Sequence, residues 1–335
     1  MNTFGKIFRV SIFGESHNNC IGVTVDGCPA GINLTANDFH SDLSKRNPNI
    51  IGITARKEDD IPQIISGVFN EKTTGAPITI LFQNNNVNSA EYSAEIVRPS
   101  HSDFTAKKKF NGHNDFRGSG MFSGRMTAGI VAAGVIAKKL IPNISINTNI
   151  ISIGKIKNNS LQHQISEEIL QLVERTAEAG DSLGGIIECT AKNIPLGIGE
   201  PFFDSLESVI SHIIFSIPGI KAIEFGTGFE IAKMFGSKAN DCFIDSEGKT
   251  KTNNSGGING GISNGNDLVF RVAVRPTPSI AKIQQTYNFV SNQIEELFLS
   301  GRYDICFALR LPVIVEAVTA IALIDMIYCG KQCFS

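Results

Sequence analysis

Short runs in which apolar and polar residues alternate predict strands along much of the chain. The first run sets Phe8, Val10 and Ile12 against Arg9 and Ser11. Further strands are predicted at residues 22–26, 63–69, 77–82 and 186–191, and another precedes residue 275. Helices are predicted at residues 35–45, 128–137 and 166–178, with a helix and a strand covering 206–225 and a more polar stretch at 143–160.

Two apolar segments are predicted to lie at the centre of the molecule. Residues 128–137 are mostly Ala and Gly, which allows close packing between helices. The longest apolar run, residues 311–328, is interrupted by Pro312, Glu316 and Asp325. It is therefore predicted to be a core helix and not a membrane span.

The composition limits the class of protein. With 335 residues the chain can bury a substantial core, in one large domain or two ordinary ones. Its formal net charge is −2 without a block of like charges, which argues against bulk attraction to nucleic acid or to an anionic membrane. The seven cysteines show neither a CxxC pair nor a metal-ligand spacing, and no signal peptide is recognisable. These features predict reduced thiols, no metal site and a cytoplasmic protein.

Candidate chemistry first occurs where the opening strand ends, at Gly14-Glu15-Ser16-His17. A carboxylate, a hydroxyl and an imidazole in consecutive positions can transfer protons, and a histidine titrates near neutrality without an unusual pKa shift. The alternative is a chance combination of common residues. A second histidine lies in Arg98-Pro99-Ser100-His101-Ser102-Asp103, where the arginine can hold an anion that the imidazole protonates.

Several other loops combine cations with glycine or proline. Lys45, Arg46, Arg56 and Lys57 either hold a phosphate or carboxylate or belong to a solvated loop, and both interpretations stay open. The glycine run at 253–265 either lets backbone amides approach a ligand or forms a flexible loop, and it is neither a Walker A loop nor a dinucleotide fingerprint. The remaining cationic turns are Arg117-Gly118-Ser119-Gly120, Ser123-Gly124-Arg125, Arg275-Pro276-Thr277-Pro278-Ser279 and Arg302-Tyr303-Asp304.

Six of these motifs, taken in order, resemble those of the chorismate synthase family. They are Gly14-Glu15-Ser16-His17, Arg98-Pro99-Ser100-His101-Ser102-Asp103, Ser123-Gly124-Arg125, Asn253-Asn254-Ser255-Gly256-Gly257, Arg275-Pro276-Thr277-Pro278, and Arg302-Tyr303-Asp304 with Glu316-Ala317. The resemblance covers essentially the whole chain. It implies an α+β fold, a β-α-β sandwich with core helices between antiparallel sheets. We expect one domain at residues 1–330, a tail at 331–335 and a homotetramer.

The resemblance also implies the activity. Such an enzyme is a lyase of the shikimate pathway of aromatic amino-acid biosynthesis. It converts 5-enolpyruvylshikimate 3-phosphate to chorismate and phosphate by a 1,4-anti elimination that uses reduced FMN without net redox change. NADPH bound by the protein and a separate flavin reductase both remain open as sources of the electrons. The alternative function is that of a degenerate flavin-binding or scaffold relative with little or no activity.

Roles for individual residues follow from the resemblance alone. His17 and His101 are expected to be general acids, one for the departing phosphate and one for the reduced flavin, with Ser16 and Asp304 in a proton relay. The residues expected to bind substrate anions are Arg46, Arg56, Arg98, Arg125 and Arg302. Those expected around FMN are Ser123, Gly124, Arg125, Asn253, Gly256, Arg275, Thr277, Ser279 and Arg302.

The chain also departs from the family pattern at several cationic positions. Met121 and Phe122 stand where relatives tend to have Arg and Ser, Ile51 and Gly52 where another Arg is usual, and Phe235 where an Arg is common. Arg275 replaces a usual Lys, and Tyr303 and Ile305 also differ. These changes predict weaker ligand binding unless nearby lysines compensate, the candidates being Lys57, Lys107, Lys108 and Lys109.

Overall fold

The computed structural model of the protein describes residues 2–48, 50–54, 56, 58–89, 92, 96–159 and 164–333. Its strands are β1 (Thr3–Phe4), β2 (Arg9–Gly14), β3 (Cys20–Asp26), β4 (Gln63–Ser66), β5 (Val68–Phe69), β6 (Lys72–Thr73), β7 (Ile78–Gln83), β8 (Ser145–Ile153), β9 (Ile156–Lys157), β10 (Gly185–Lys192), β11 (Ile220–Phe225), β12 (Ile258–Asn259), β13 (Ile262–Ser263), β14 (Leu268–Val274), β15 (Gln284–Asn288) and β16 (Gln293–Leu297). Its helices are α1 (His40–Arg46), α2 (Asp103–Lys109), α3 (Thr127–Leu140), α4 (Glu167–Glu178), α5 (Leu206–Ile214), α6 (Gly236–Ala239) and α7 (Leu311–Cys333).

Two five-stranded sheets form the outer layers, in the orders β1-β2-β3-β7-β4 and β11-β14-β10-β8-β9. All neighbouring strands in both sheets are antiparallel. Side chains alternate across each strand, and in β14 every second one, from Leu268 to Val274, is buried. One face of each sheet is therefore apolar and needs a partner layer.

Helices α3 and α7 provide that partner layer between the sheets. Helix α3 contacts β2, β3 and β7, helix α7 contacts β8 and β10, and the two helices pack on each other. A Cβ atom at Gly134 would lie 2.3 Å from the Cβ of Ala317, so only glycine permits this approach. Each fully buried aliphatic side chain contributes about 1.5–3 kcal/mol to folding. The predicted fold class, a β-α-β sandwich with core helices between antiparallel sheets, is confirmed.

Helix α7 is apolar on all sides. In the described part of the chain one segment, Phe307–Gly330, is long and apolar enough to span a membrane by length and composition. However, 83% of its most apolar window is buried inside the fold. This is the behaviour of the predicted core helix, because a helix without a polar face is stable in water only when it is surrounded by protein. The helix continues to Cys333, three residues into the segment predicted as a tail.

The ends of the chain meet at Asp325 of α7. Its buried carboxylate accepts hydrogen bonds from the backbone amides of Lys6 at 2.9 and 3.0 Å, of Ile7 at 2.8 Å and of Phe8 at 2.9 Å. These amides immediately precede β2, the strand that leads to Ser16. The last helix therefore fixes the position at which the first motif of the chain begins.

Some predicted elements differ from those observed. The strand predicted at 63–69 is divided into β4 and β5 by Gly67, whose φ of +81° is accessible mainly to glycine. The helix predicted from Thr35 begins as a 3-10 turn, Ala36–Phe39, before α1, and Asp38 accepts a hydrogen bond from the Thr35 amide at 2.7 Å. The polar stretch at 143–160 is largely strand β8, which the sequence pattern did not predict.

Candidate active site

A cavity of about 670 Å³ lies where loops from both halves of the chain meet, a volume typical of small-molecule sites. Its walls come from segments that are far apart in sequence, including the loops after β2, α1, β14 and α5 and the turns before α3 and α7. Most of the predicted site residues line it: Ser16, Arg46, Arg56, Arg98, His101, Ser123, Gly124, Arg125, Arg275, Thr277, Ser279, Arg302 and Asp304. The fold thus brings together motifs that the sequence shows only as separate loops.

His17 does not line this cavity but lies directly behind its wall. Its Nδ1 is 3.0 Å from the Ser89 hydroxyl, and its ring meets the Tyr92 ring edge to face at 5.2 Å. Gly118, which does line the cavity, covers the other side, where a Cβ would lie 2.2 Å from His17 Cδ2. A direct role for His17 therefore depends on contact through this thin wall.

Asn253 and Gly256 also lie away from the cavity. Asn253 borders a separate depression with Thr227 and Arg271. The side-chain Nδ2 of Asn253 donates to the Asp267 carbonyl at 2.7 Å, and its side-chain oxygen accepts from the Gly257 backbone amide at 2.8 Å. Asn253 thus shapes the glycine-rich loop, which contains the hairpin β12–β13, and contact of this loop with FMN stays a prediction.

The cavity carries a large excess of positive charge. Among the described residues, the cationic side chains on its wall are Arg46, Arg56, Arg98, Arg125, Lys221, Arg275, Arg302 and Arg310, whereas Glu58 and Asp304 are its only carboxylates. In a chain with a formal net charge of −2, this clustering has to be built by the fold. Such a site attracts ligands with several anionic groups.

The Asp60 carboxylate forms ion pairs with two of these arginines. Arg46 and Arg125 both donate to its carboxylate, and all three side chains are almost completely buried. Although burial disfavours the ionised form, the two guanidinium groups hold the pKa of Asp60 below its usual range. Arg46 Nε is buried and has no hydrogen-bond partner among the described residues, which leaves a donor that a bound ligand can satisfy.

Asparagine side chains accept hydrogen bonds from two arginines of the cavity wall. Asn84 accepts from Arg125 Nε at 3.0 Å, and Asn86 accepts from Arg302 Nη1 at 2.9 Å. The amides of Asn85 and Asn86 donate to Glu58, which in turn holds Arg56 at 2.7 Å. An amide oxygen positions a guanidinium without neutralising it, so the charge remains available. The sequence analysis missed these residues, and the three consecutive asparagines after β7 are the signal that could have revealed them.

Arg310 is another site residue that sequence reasoning missed. It is buried, lines the cavity and donates to the Asn47 side chain, while its Nε has no hydrogen-bond partner in the described part of the chain. Its Nη1 is 3.7 Å from Asp304. Asp304 also accepts from the Thr54 amide at 2.9 Å, and the Ser16 hydroxyl accepts from Arg56 at 2.8 Å. Within the described residues no hydrogen bond joins Ser16 to Asp304, so the predicted relay needs a bridging group.

The imidazoles do not have the ordinary pKa values that the sequence analysis expected. Burial, followed by the charges of Arg56 and Arg117, lowers the pKa of His17 to about 4. Burial also lowers the pKa of His101, where Arg98 and Arg275 add to the effect and Asp103 opposes it. The expectation of unshifted histidines was wrong because sequence alone does not show which loops enclose a side chain. In the ligand-free protein these surroundings favour the neutral form of both rings near pH 7.

This shift of His17 predicts an acid-sensitive contribution to stability. Between pH 6.5 and about 4 the unfolded chain protonates this ring and the folded chain does not, so the free energy of unfolding falls as the pH falls through that window. We expect His17→Gln to show a smaller loss of stability from pH 7 to pH 5 in urea titrations than the wild type. The exposed His113→Gln variant is the control, and equal losses in all three proteins would contradict the assignment.

Two of the suspected charge losses do not concern the cavity. Gly52 has a φ of +92°, and a Cβ there would lie 2.3 Å from Val173 Cγ1, so packing against α4 excludes an arginine. Phe235 is 81% exposed and does not line the cavity. Met121 and Phe122 do line it and leave an apolar stretch in its wall.

The proposed lysine compensators are not on the cavity wall. Lys107 does not line the cavity, Lys108 lies over the Phe104 ring and Lys109 over the Phe110 ring, whereas Lys57 falls outside the described residues. Lys221 and Arg310 line the cavity instead. The prediction was wrong for the three consecutive lysines because they belong to helix α2, whose side chains point around its axis.

Comparisons with known proteins agree with this geometry. A family profile described as chorismate synthase matches residues 8–328. The chorismate synthase of Chitinophaga pinensis is 52% identical over 328 residues, 97% of this chain and 96% of that protein. That of a Dehalococcoides mccartyi strain is 43% identical over 349 residues, again 97% and 96% of the two chains. A solved crystal structure of chorismate synthase superposes with a TM-score of 0.75 at 26% identity and covers 97% of this chain and 93% of the other. The chain therefore belongs to the chorismate synthase family.

Proposed function

We propose that the protein converts 5-enolpyruvylshikimate 3-phosphate to chorismate and phosphate in this cavity, with reduced FMN as cofactor. The observation that carries the proposal is the collection of eight cationic side chains around one cavity of a chain that is not basic overall. A phosphorylated, carboxylated substrate beside a phosphorylated flavin needs such a surplus of donors. Full-length similarity to chorismate synthases supports the same activity.

The cavity residues fit a flavin. Phe122 and Phe307 give it an apolar wall suited to a planar ring, and Gly124 leaves room in front of Phe307, since a Cβ there would lie 3.2 Å from the ring. The Thr277 hydroxyl is buried and has no hydrogen-bond partner among the described residues, so a bound cofactor can satisfy it. Ser123, Gly124, Arg125, Arg275, Thr277, Ser279 and Arg302 would hold the flavin. When bound, reduced FMN supplies electron density to the allylic system of the substrate.

The remaining roles concern anions and protons. Arg46, Arg56, Arg98, Arg125 and Arg302 bind the substrate anions, and the loss of surrounding water strengthens each of these contacts. A bound phosphate raises the proton affinity of a nearby imidazole, which turns a neutral histidine into an acid at the moment of binding. Of the two histidines, His101 lines the cavity and can reach a ligand directly.

Anaerobic incubation of the protein with substrate and reduced FMN tests the proposal. Chorismate is expected with reduced FMN and not with oxidised FMN in the absence of a reductant. Chorismate formed with oxidised FMN alone would contradict a need for reduced flavin. Absence of product despite measurable binding of both ligands would favour the degenerate alternative. The similarity to chorismate synthases along the full chain supports the catalytic interpretation over that alternative.

We also propose a homotetramer. Large aromatic side chains remain exposed on the single chain, including the adjacent Phe202 and Phe203 at 86% and 93%. Clusters of exposed aromatic residues are typical of association surfaces. Light scattering is expected to give four times the chain mass of 36.1 kDa. A stable, active monomer would contradict the proposal.

We further propose that residues 1–330 form one functional domain. A hydrophobic core that runs from Phe8 to Met326 supports this. No disulfide joins the six cysteines whose side chains are described, which supports the proposal of a cytoplasmic protein. Either NADPH bound by the protein or a separate flavin reductase supplies electrons. Adding NADPH with oxidised FMN distinguishes them, because only a protein with its own reductase activity would then form chorismate.

Met121→Arg is expected to tighten ligand binding. Met121 is 37% exposed on the cavity wall, and a new guanidinium there can donate to a phosphate. One charge-assisted hydrogen bond contributes about 1.5–3 kcal/mol, or about one to two decades in Kd. Titration of substrate and FMN against wild type and variant measures the change. Phe235→Arg adds the same charge outside the cavity and is the matched control. Unchanged or weaker affinity for both ligands in Met121→Arg would mean that the apolar pair has its own function.

A further inference from the structure

The Asp103 carboxylate lies between two residues of the candidate site. Its Oδ2 accepts from the Arg98 amide at 3.1 Å and from Arg98 Nε at 2.7 Å. Its Oδ1 accepts from Arg98 Nη2 at 2.8 Å and pairs with His101 Nδ1 at 2.7 Å. All three side chains are largely buried, at 8% to 15% exposure. One carboxylate therefore contacts both the arginine and the imidazole of this loop.

The ionisation state of Asp103 determines the tautomer of His101. Although burial opposes ionisation, hydrogen bonds from Arg98 and His101 hold the pKa of Asp103 well below its usual range. An ionised carboxylate can only accept, so Nδ1 of the neutral imidazole must carry the hydrogen. Nε2 is then the unprotonated nitrogen of the ring and accepts a hydrogen bond. It lies 3.1 Å from the Ser119 hydroxyl, which lines the cavity.

The contact between Asp103 and His101 opposes the groups that lower the pKa of His101. Arg98 on its own loop and Arg275 on the turn after β14 both disfavour the imidazolium, as does burial. Tyr92 and Tyr303 lie beside Arg98 and face the same cavity. Asp103 is the carboxylate in direct contact with the ring, and it favours the charged form.

Asp103 also fixes where Arg98 can point. With Nε and Nη2 engaged by the carboxylate, the outer edge of the guanidinium faces Ser279 at 3.2 Å and Ser119 at 3.4 Å. Ser119 is thus shared by Arg98 and His101 Nε2. The orientations of the arginine and of the imidazole are coupled through Asp103, which accepts from both, and through Ser119, which accepts from Arg98 and donates to His101 Nε2.

We propose that Asp103 is a positioning residue, which holds His101 as the Nδ1–H tautomer with Nε2 toward the cavity and fixes Arg98 beside it. The tautomer and the geometry are properties of the resting protein, whereas the consequence for turnover rests on the proposed role of His101 as an acid. An amide at position 103 offers one acceptor oxygen where the carboxylate offers two. In Asp103→Asn, therefore, either His101 or Arg98 faces an NH₂ group.

Nitrogen-15 NMR of histidine-labelled protein tests the first part. The chain has six histidines, and comparison with His101→Gln assigns the signal of His101. The wild type is expected to show the Nδ1–H tautomer and Asp103→Asn a mixture, with titration of the ring displaced by about one pH unit to lower values. Asp103→Glu, which keeps the charge, is expected to restore most of the titration. A wild-type ring in the Nε2–H form, or a signal unchanged in Asp103→Asn, would overturn the proposal.

Steady-state pH profiles test the second part. In Asp103→Asn the decline of kcat with rising pH is expected to begin about one unit lower, with a loss of about tenfold near pH 7.5 that shrinks at lower pH. A loss that is equal at every pH would overturn the proposed effect of Asp103 on the protonation of His101. Asp26→Asn, which alters a surface Asp–Arg pair, is the matched control and should leave the profile unchanged. If His101→Gln were fully active while the NMR result held, the acid role in the proposed function would fail and the positioning of the ring would stand.

Discussion

Replacing His101 by alanine is expected to lower turnover by about 10²–10⁴-fold, the range that general acid catalysis contributes. The ring lines the cavity, its Nε2 lies 3.1 Å from Ser119, and its Nδ1 is held by Asp103. Removing it leaves no other imidazole on the wall among the described residues. Single-turnover measurements with reduced FMN separate this loss from a change in binding, which should stay within a few-fold of the wild type.

His17→Ala is expected to cause a loss of the same order, although the ring lies behind Gly118. The exposed His113→Ala variant is the control. If His101→Ala and His17→Ala both kept near-normal turnover, neither histidine would be an acid in the reaction. A large loss for His101→Ala with none for His17→Ala would restrict the role of His17 to packing behind the wall.

Asp60→Ala is expected to destabilise the protein by about 3–5 kcal/mol, because it leaves two buried guanidinium groups without their shared carboxylate. The Asp60 side chain is 6% exposed, and those of Arg46 and Arg125 are 5% and 4% exposed. Domains of this kind are typically stable by about 5–15 kcal/mol, so the loss is a large fraction of the total. Urea unfolding measures it, and substrate binding should weaken in parallel because both arginines line the cavity.

Asp26→Ala provides the comparison for Asp60→Ala. Asp26 pairs with Arg9 at the surface, where such a pair contributes about 1 kcal/mol or less. Similar losses of unfolding free energy in the two variants would show that the buried Asp60 ion pairs stabilise the protein no more than a surface pair does. A stable Asp60→Ala protein that still binds substrate would show that Arg46 and Arg125 find other partners.

The sequence predicted the site residues better than the contacts that position them. Motifs such as Arg302-Tyr303-Asp304 are local, so they are visible without a structure. The bonds from Asp60 to Arg46 and Arg125 span 14 and 65 residues, and nothing in the local pattern indicates them. Arg310 was not predicted because it directly precedes the apolar helix α7. At such a position an arginine is usually interpreted as a solvent-exposed residue at the start of a core helix.

The prediction of strands failed where the core itself is polar. In β8 the buried face includes Thr148, whose hydroxyl donates to Glu316 at 3.0 Å, and Lys138 completes the network at 3.0 Å. Together with Asn147 and Asn149 on the opposite face, this threonine makes the segment look like a polar connection. Hydrogen bonding across layers offsets the cost of burying these groups, and sequence periodicity does not register it. The low pKa of His17 was not predicted for a related reason. It results mainly from burial, and burial depends on how the loops assemble.

The contact of Asp325 with the amides of Lys6, Ile7 and Phe8 joins residues 317 to 319 positions apart. During synthesis the ribosome adds about 5–20 residues per second, so the N-terminal strands wait for tens of seconds before this partner exists. Helix α7, which lies between the two sheets, is also made after every strand of both sheets. Nascent chains arrested before residue 325 are expected to stay open to proteases in the first sheet, and full protection of that sheet in such chains would contradict this order. The loop that carries Ser16 and His17 is therefore the first functional motif to leave the ribosome and among the last to reach its final position.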